Sequence, residues 1–189
     1  MHMHDKLNEA TLSSDQLLDG KLLKVYRDEV RLPDGNSSHR EWIDHPGASA
    51  VLPLFDDGTV LLVRQYRYAA RDLFLELPAG KFDTPSESAE AVARRELEEE
   101  TGLTAERWHY IGHSRPCIGY SNESIHYFIA EDLSSGEQDL QEAEFIETVR
   151  MPLEQAFAMA ESSEIDDMKT VAGLLLARGF LRRNGRIVS

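Results

Sequence analysis

The sequence predicts an α+β protein, a mixed β-sheet flanked by helices with a β-rich piece at the N-terminus. Short apolar or alternating runs bounded by Gly, Pro, Asn and Asp recur along the chain and read as strands. Few stretches carry apolar residues at helical spacing. There is no internal repeat and no low-complexity tract.

Taken in order, KLLKVYRDEVRL is a long strand from Lys21 to Leu32. Pro33, Asp34 and Gly35 supply turn chemistry. HREWIDH is the returning strand, so Lys21 to His45 reads as a β-hairpin. ASAVLPLF reads as a buried strand. The DDG turn at Asp56–Gly58 leads into TVLLVRQYRY, and LFLEL at Leu73–Leu77 is a short strand. LPAGKFDTPSE reads as a loop. A helix from about Glu87 to Thr101 follows, with Ala89, Val92, Ala93 and Leu97 as its apolar stripe. Its start has two readings, a Thr84-Pro85-Ser86-Glu87 capping box or Ser88 as the N-cap. Gly102 reads as its left-handed C′ residue. Strands are expected at Trp108–His113, Ile125–Ala130 and Phe145–Arg150, and helices over PLEQAFAMAES and DDMKTVAGLLLARGFLRR. The expected organisation is an N-terminal extension over 1–47 and a main domain over 48–189.

Composition narrows the function. The 189 residues suffice for one core and an appendage, and the 41% apolar content is ordinary. A formal net charge of -14 argues against general nucleic-acid binding, which needs Lys and Arg to neutralise phosphates. A single cysteine, Cys117, excludes an internal disulfide and fits a reducing compartment. No apolar run approaches the roughly 20 residues of a membrane span, and the start has no signal-peptide core. A cytoplasmic protein with no membrane or nucleic-acid partner is expected.

The informative stretch is RRELEEETGL. It puts Glu96, Glu98, Glu99 and Glu100 at the C-terminal end of a helix, where the dipole favours cations. Glu96, Glu99 and Glu100 share a face and repel by roughly 0.2–0.5 kcal/mol per pair. A solvated acidic face is the ordinary explanation of a charge run. A local rule broken this densely points instead to a counter-charge, and a divalent cation fits.

From Gly80 the chain reads GKFDTPSESAEAVARRELEEETGL, which resembles the Nudix box, G-x5-E-x7-R-E-U-x-E-E-x-G-U with U a bulky aliphatic. Arg95, Glu96, Leu97, Glu99, Glu100, Gly102 and Leu103 fall in place, and Glu87 lies eight residues before Arg95. Gly80 departs by one residue, absorbed in the loop before Glu87. The resemblance implies an α/β/α sandwich, hydrolysis of a diphosphate linked to another group, and Mg²⁺ as cofactor, with Mn²⁺ as a substitute. It implies metal ligation by Glu96, Glu99 and Glu100, with Arg95 orienting a neighbouring carboxylate such as Glu87, and Glu98 solvated.

The resemblance is closest to ADP-ribose pyrophosphatases and related nucleoside-diphosphate-sugar hydrolases. LELPAGK implies that the Ala79 carbonyl joins the metal site. HREWIDHPGASAVLPL places Arg40 and Glu41 where the group holds its nucleobase, and VRQYRYA places Arg67 near the diphosphate. RPCIGYSNE is similar to the group's S-P-G-x-x-x-E element, with Pro116 and Glu123 in the substrate site. It has about two extra residues and Arg115 in place of Ser. Tyr120 lies near a tyrosine of dinucleoside-polyphosphate hydrolases, and a turn or core aromatic is its plainer reading. QEAEFIE supplies Glu142 and Glu144 as candidates for the general base, Glu144 also for the metal, against an ordinary acidic loop. The implied function is Mg²⁺-dependent hydrolysis of ADP-ribose or a related nucleotide sugar by a homodimer sharing its N-terminal extensions. The alternatives are a dinucleoside-polyphosphate hydrolase and a nucleotide-sugar sensor. His109 and His113 lack a third ligand nearby, so zinc is not expected.

Overall fold

Ten strands and three helices follow one another among residues 6–138 and 145–187, which the computed structural model describes. The chain divides into two compact units, Met1–Pro46 with Cys117–Glu123, and Gly47–Pro116 with Ser124–Ser189.

The first unit is a three-stranded antiparallel sheet of β1 (Ala10–Asp19), β2 (Lys24–Arg31) and β3 (Ser37–Asp44), in that order. The expected hairpin is β2–β3, with Tyr26 stacked on Trp42 at 5.1 Å. The sequence hid β1. All ten of its residues are exposed, so no buried face writes a period-2 pattern into ATLSSDQLLD. Residues 117–123 belong to this unit and accept from its backbone N–H groups. Ile43 N donates to Tyr120 O at 2.8 Å, and His45 N to Asn122 Oδ1 at 2.7 Å.

The second unit holds two sheets. One is antiparallel, with β10 (Ile146–Pro152), β5 (Thr59–Arg67) and β6 (Asp72–Glu76) in that order. The other is mixed: β7 (Ala79–Lys81), β4 (Ala48–Pro53), β9 (Ile125–Ser135) and β8 (Leu103–Ser114), with β4 and β9 parallel. All six residues of β4 are buried, and its one polar side chain, Ser49, donates its hydroxyl to Ala89 O at 2.7 Å. Val51, Phe128 and Ala130 pack with Ala93 and Leu97 of α1 (Ala89–Thr101). Ala50, Leu52, Tyr127 and Ile129 pack on the opposite face, with Ala156 and Phe157 of α2 (Leu153–Glu161) and Leu174, Ala177 and Leu181 of α3 (Met168–Arg183). That is the expected sandwich. The short β7, read as loop from its Pro and Gly, pairs with β4 through Ala50 and Ala79. No helix among the described residues is long and apolar enough to cross a membrane.

Candidate active site

The acidic helix stands where its pattern puts it. Ser88 is the N-cap, its Oγ accepting from Ala91 N at 3.1 Å. Glu87 therefore lies outside the helix, and its Oε2 accepts from Asp83 N at 2.7 Å and Thr84 N at 3.3 Å, closing the loop. Gly102 ends the helix at φ 70°, its N–H donating to Glu98 O. Leu97 and its apolar neighbours face the sheet. Glu96 and Glu100 share that inward side and are 7% and 6% exposed, far below what solvated carboxylates show. Glu98 is exposed, as expected.

Strand β7 lies against these carboxylates. Ala79 N donates to Glu100 Oε2 at 3.0 Å. A Cβ on Gly80 would overlap the Glu96 carboxyl, so only glycine leaves room for it. Arg95 carries the local counter-charge. Its Nη1 donates to Glu96 Oε1 at 2.6 Å and approaches Glu99 Oε2 at 3.5 Å, and its Nη2 donates to Lys81 O at 3.1 Å. Asp83 stands 3.4 Å from Nη2. The expected orienting pair with Glu87 is loose, 3.8 Å from Nε, because Glu87 is committed to the Asp83 and Thr84 amides. The main partner is Glu96. Burial works to lower the Arg95 pKa, and the carboxylates of Glu96, Asp83, Glu99 and Glu87 more than offset it, holding the guanidinium charged. Arg95 Nε is the one buried side-chain N or O among the described residues without a hydrogen-bond partner.

Five carboxylates, Asp83, Glu87, Glu96, Glu99 and Glu100, thus gather around one guanidinium or on the helix face beside it. All donors are oxygen, which suits a hard divalent cation. Among the described residues no three acidic, His or Cys side chains converge on one metal position. Glu96 is held by Arg95, and Glu100 meets the Ala79 amide. The residue types, the charge excess and the space kept by Gly80 fit a metal; the side-chain directions are those of the Arg95 pairing.

Arg67 lies at the end of β5. Its Nε and Nη2 grip both oxygens of Glu76 at 2.7 and 2.6 Å. Pairing with Glu76, and secondarily the charges of Glu100 and Asp167, raise its pKa. Sequence reasoning missed Glu76, which is 2% exposed. Its signal was a lone charge inside the apolar run LFLEL.

The other predicted residues divide between the units. Arg40 and Glu41 are on β3, paired with Glu9 and with Arg27 (2.5 Å). Tyr120 and Glu123 lie with them in the first unit. The Tyr120 hydroxyl donates to Cys117 Sγ, which raises its pKa, and the ring is exposed, so it is no core aromatic. Glu123 faces His45 Nδ1 at 3.8 Å. Pro116 belongs to the second unit. Glu142 and Glu144 lie outside the described residues. His109 Nε2 lies 2.8 Å from Glu131 Oε2.

The chain is similar to several known proteins. The chain is 41% identical over 166 residues to an ADP-ribose pyrophosphatase of Bacillus subtilis (strain 168), covering 87% of this chain and 89% of that one. It is 35% identical to a methanol dehydrogenase activator of Bacillus methanolicus, over 86% and 89% of the two chains. It is 34% identical to an ADP-ribose pyrophosphatase of Mycobacterium tuberculosis (strain ATCC 25618 / H37Rv), over 87% and 81%. The crystal structure of an ADP compounds hydrolase shares the fold at a TM-score of 0.84 and 24% identity, over 96% of this chain and 98% of that one. Residues 9–43 match the nucleoside diphosphate sugar hydrolase N-terminal domain. Residues 44–172 match the NUDIX domain and contain the whole acidic helix, so the chain belongs to the Nudix hydrolase family.

Proposed function

We propose that this enzyme hydrolyses the diphosphate bond of ADP-ribose or a related nucleoside diphosphate sugar, giving a nucleoside monophosphate and a sugar phosphate. The observation that carries the reading is the pair of buried glutamates, Glu96 and Glu100, held against β7 on an all-oxygen helix face. The names of the relatives, together with the N-terminal match, support the substrate class.

Glu96, Glu99, Glu100 and the Ala79 carbonyl would hold the metal, with Mg²⁺ the ion their oxygens suit. When bound, such an ion shields the diphosphate charge and acidifies a coordinated water. The chain's own residues do the rest. Arg95 keeps Glu96 and Glu99 from splaying apart by mutual repulsion. Arg67, half-exposed and fixed by Glu76, offers N–H groups to the diphosphate. Glu142 and Glu144 are the candidates for the base that takes the proton of the attacking water. Arg40, Glu41, Pro116, Tyr120 and Glu123 are assigned to the rest of the substrate, with Arg40 and Glu41 serving the neighbouring chain of a homodimer.

The test is a panel of ADP-ribose, other nucleotide sugars and a dinucleoside polyphosphate, with products identified with and without Mg²⁺. Cleavage of nucleotide sugars to two monophosphates is expected. Turnover of the dinucleoside polyphosphate alone would replace the substrate assignment. A second measurement locates the base: Glu142→Gln or Glu144→Gln should lose turnover with little change in substrate affinity. Full activity in both would move the base to the helix.

A further inference from the structure

Behind Arg67 stands a polar chain that the site chemistry does not use. Glu76 is 3% exposed in its side chain, and a carboxylate buried to that degree persists only when fully paired. Three N–H groups reach it. Two come from Arg67, and the third is Lys169 Nζ at 3.0 Å from Oε2. Lys169 is 14% exposed and has three acceptors for its three N–H groups: Glu76 Oε2, Leu77 O at 3.3 Å and Asp167 Oδ2 at 3.1 Å. Asp167 is the N-cap of α3, and its Oδ2 also accepts from Thr170 N and Oγ1 at 3.0 and 2.7 Å. Thr170 Oγ1 in turn accepts from Leu77 N at 2.9 Å. The first turn of α3 thus holds Leu77 by both its N–H and its C=O.

The tetrad Arg67, Glu76, Lys169 and Asp167 is formally neutral, which makes its burial tolerable. Three of its members have their charged groups committed to partners inside the protein. Arg67 differs. Its side chain is 47% exposed, and Nη1 carries two N–H groups with no protein partner among the described residues. A bidentate fork fixes the guanidinium in the plane of the carboxylate. Among the described residues, the third bond, to Lys169, is the one that ties this pair to α3. Without that bond Glu76 and Arg67 can swing together.

We propose that Lys169 and Asp167 are positioning residues for Arg67: they lock the Glu76 carboxylate to α3, and the locked carboxylate aims the Nη1 edge of Arg67 at the substrate diphosphate. This rests on the reading of Arg67 as a diphosphate-binding group.

The test is a double-mutant cycle in the full chain, with Michaelis kinetics on ADP-ribose in Mg²⁺ and thermal unfolding of every variant. Lys169→Met should lower kcat/KM on the order of tenfold, chiefly through KM, because a misplaced binding group loses most of its contribution. Arg67→Ala should lower it further. In the Arg67→Ala background, Lys169→Met should then cost little more, since both act on one contact. Asp167→Asn keeps a capping side chain and removes the charge beside Lys169. It runs the same cycle with a smaller effect, and takes over if Lys169→Met does not fold at the assay temperature. Additive losses, or a Lys169→Met variant changed only in melting temperature, overturn the positioning role alone. An unchanged KM in Arg67→Ala overturns the reading of Arg67, and the positioning role with it.

Discussion

A methyl group on Gly80 would occupy the space of the Glu96 carboxyl. Gly80→Ala should therefore displace a ligand-face glutamate without touching it chemically. Because the group that must give way is the end of a flexible side chain, the fold should survive. We expect turnover to fall by one to two orders of magnitude, roughly as for a displaced catalytic group, with melting temperature nearly unchanged. Wild-type turnover in that variant would separate Glu96 from the chemistry. Glu100→Gln should cut turnover more deeply and raise stability without metal by roughly 0.2–0.5 kcal/mol, the size of a relieved like-charge pair; its amide oxygen can still accept from Ala79 N. Glu96→Gln should not stabilise, because Glu96 is already paired with Arg95. At this scale the sequence was legible where spacing along one helix sets the site. It was not legible where a residue matters through a distant neighbour. Gly80 meets Glu96 and Arg67 meets Glu76 only after the strands have paired, and the Arg95–Glu96 pair displaced the expected Arg95–Glu87 pair because of how the preceding loop closes.

Elements carry the local rules more faithfully. The helix α1 begins at Ser88 and ends at Gly102, so Ser88→Ala should cost about 1 kcal/mol in urea unfolding, the usual worth of a capping hydroxyl. The strands β1 and β7 escaped detection for opposite reasons, one having no buried face and the other being three residues long between Pro78 and Phe82. Between elements, some joints are ionic. Glu76 joins β6 to α3, Asp167 caps α3, and Glu131 of β9 takes Arg107 and His109 of β8 together with Arg186. Burial works to raise all three carboxyl pKa values, and the pairs hold each below its ordinary range. Arg67 and Lys169 do so at Glu76, Lys169 and Thr170 at Asp167, and Arg186 and His109 at Glu131. A carboxylate depressed in the folded state binds fewer protons there than in the unfolded chain. Its stabilisation is complete above the unfolded value and disappears as pH falls through the folded one. The melting temperature should hold from neutrality down to about pH 5 and fall progressively below it. A melting temperature that rises over that acid range would contradict these pairings.

For the whole molecule, turn signals marked the β2–β3 hairpin, while β1 and residues 117–123, which join it in one compact unit, carried no signal in the sequence. The exposed leucines of β1, Leu12, Leu17 and Leu18, lie on an edge strand, the kind of surface a second copy can cover. A homodimer is expected in light scattering at micromolar concentration, and a 21.4 kDa particle would refute the shared-site arrangement. Deleting residues 1–45 should give a monomer that binds nucleotide sugars poorly. The cut also strips residues 117–123 of their backbone partners at Ile43 and His45. Glu123→Gln leaves those bonds in place and gives a cleaner test of substrate binding through KM. The same interleaving orders events on the ribosome. The first unit lacks its last segment until Cys117–Glu123 has been made, about 70 residues after Pro46. At roughly 5–20 residues per second that is a wait of several seconds. During it β3 lacks its partner segment at Ile43, and the leucines of β1, at the opposite edge of the sheet, have no second copy to cover them, so nascent chains stalled before residue 117 should be the species most prone to capture by chaperones.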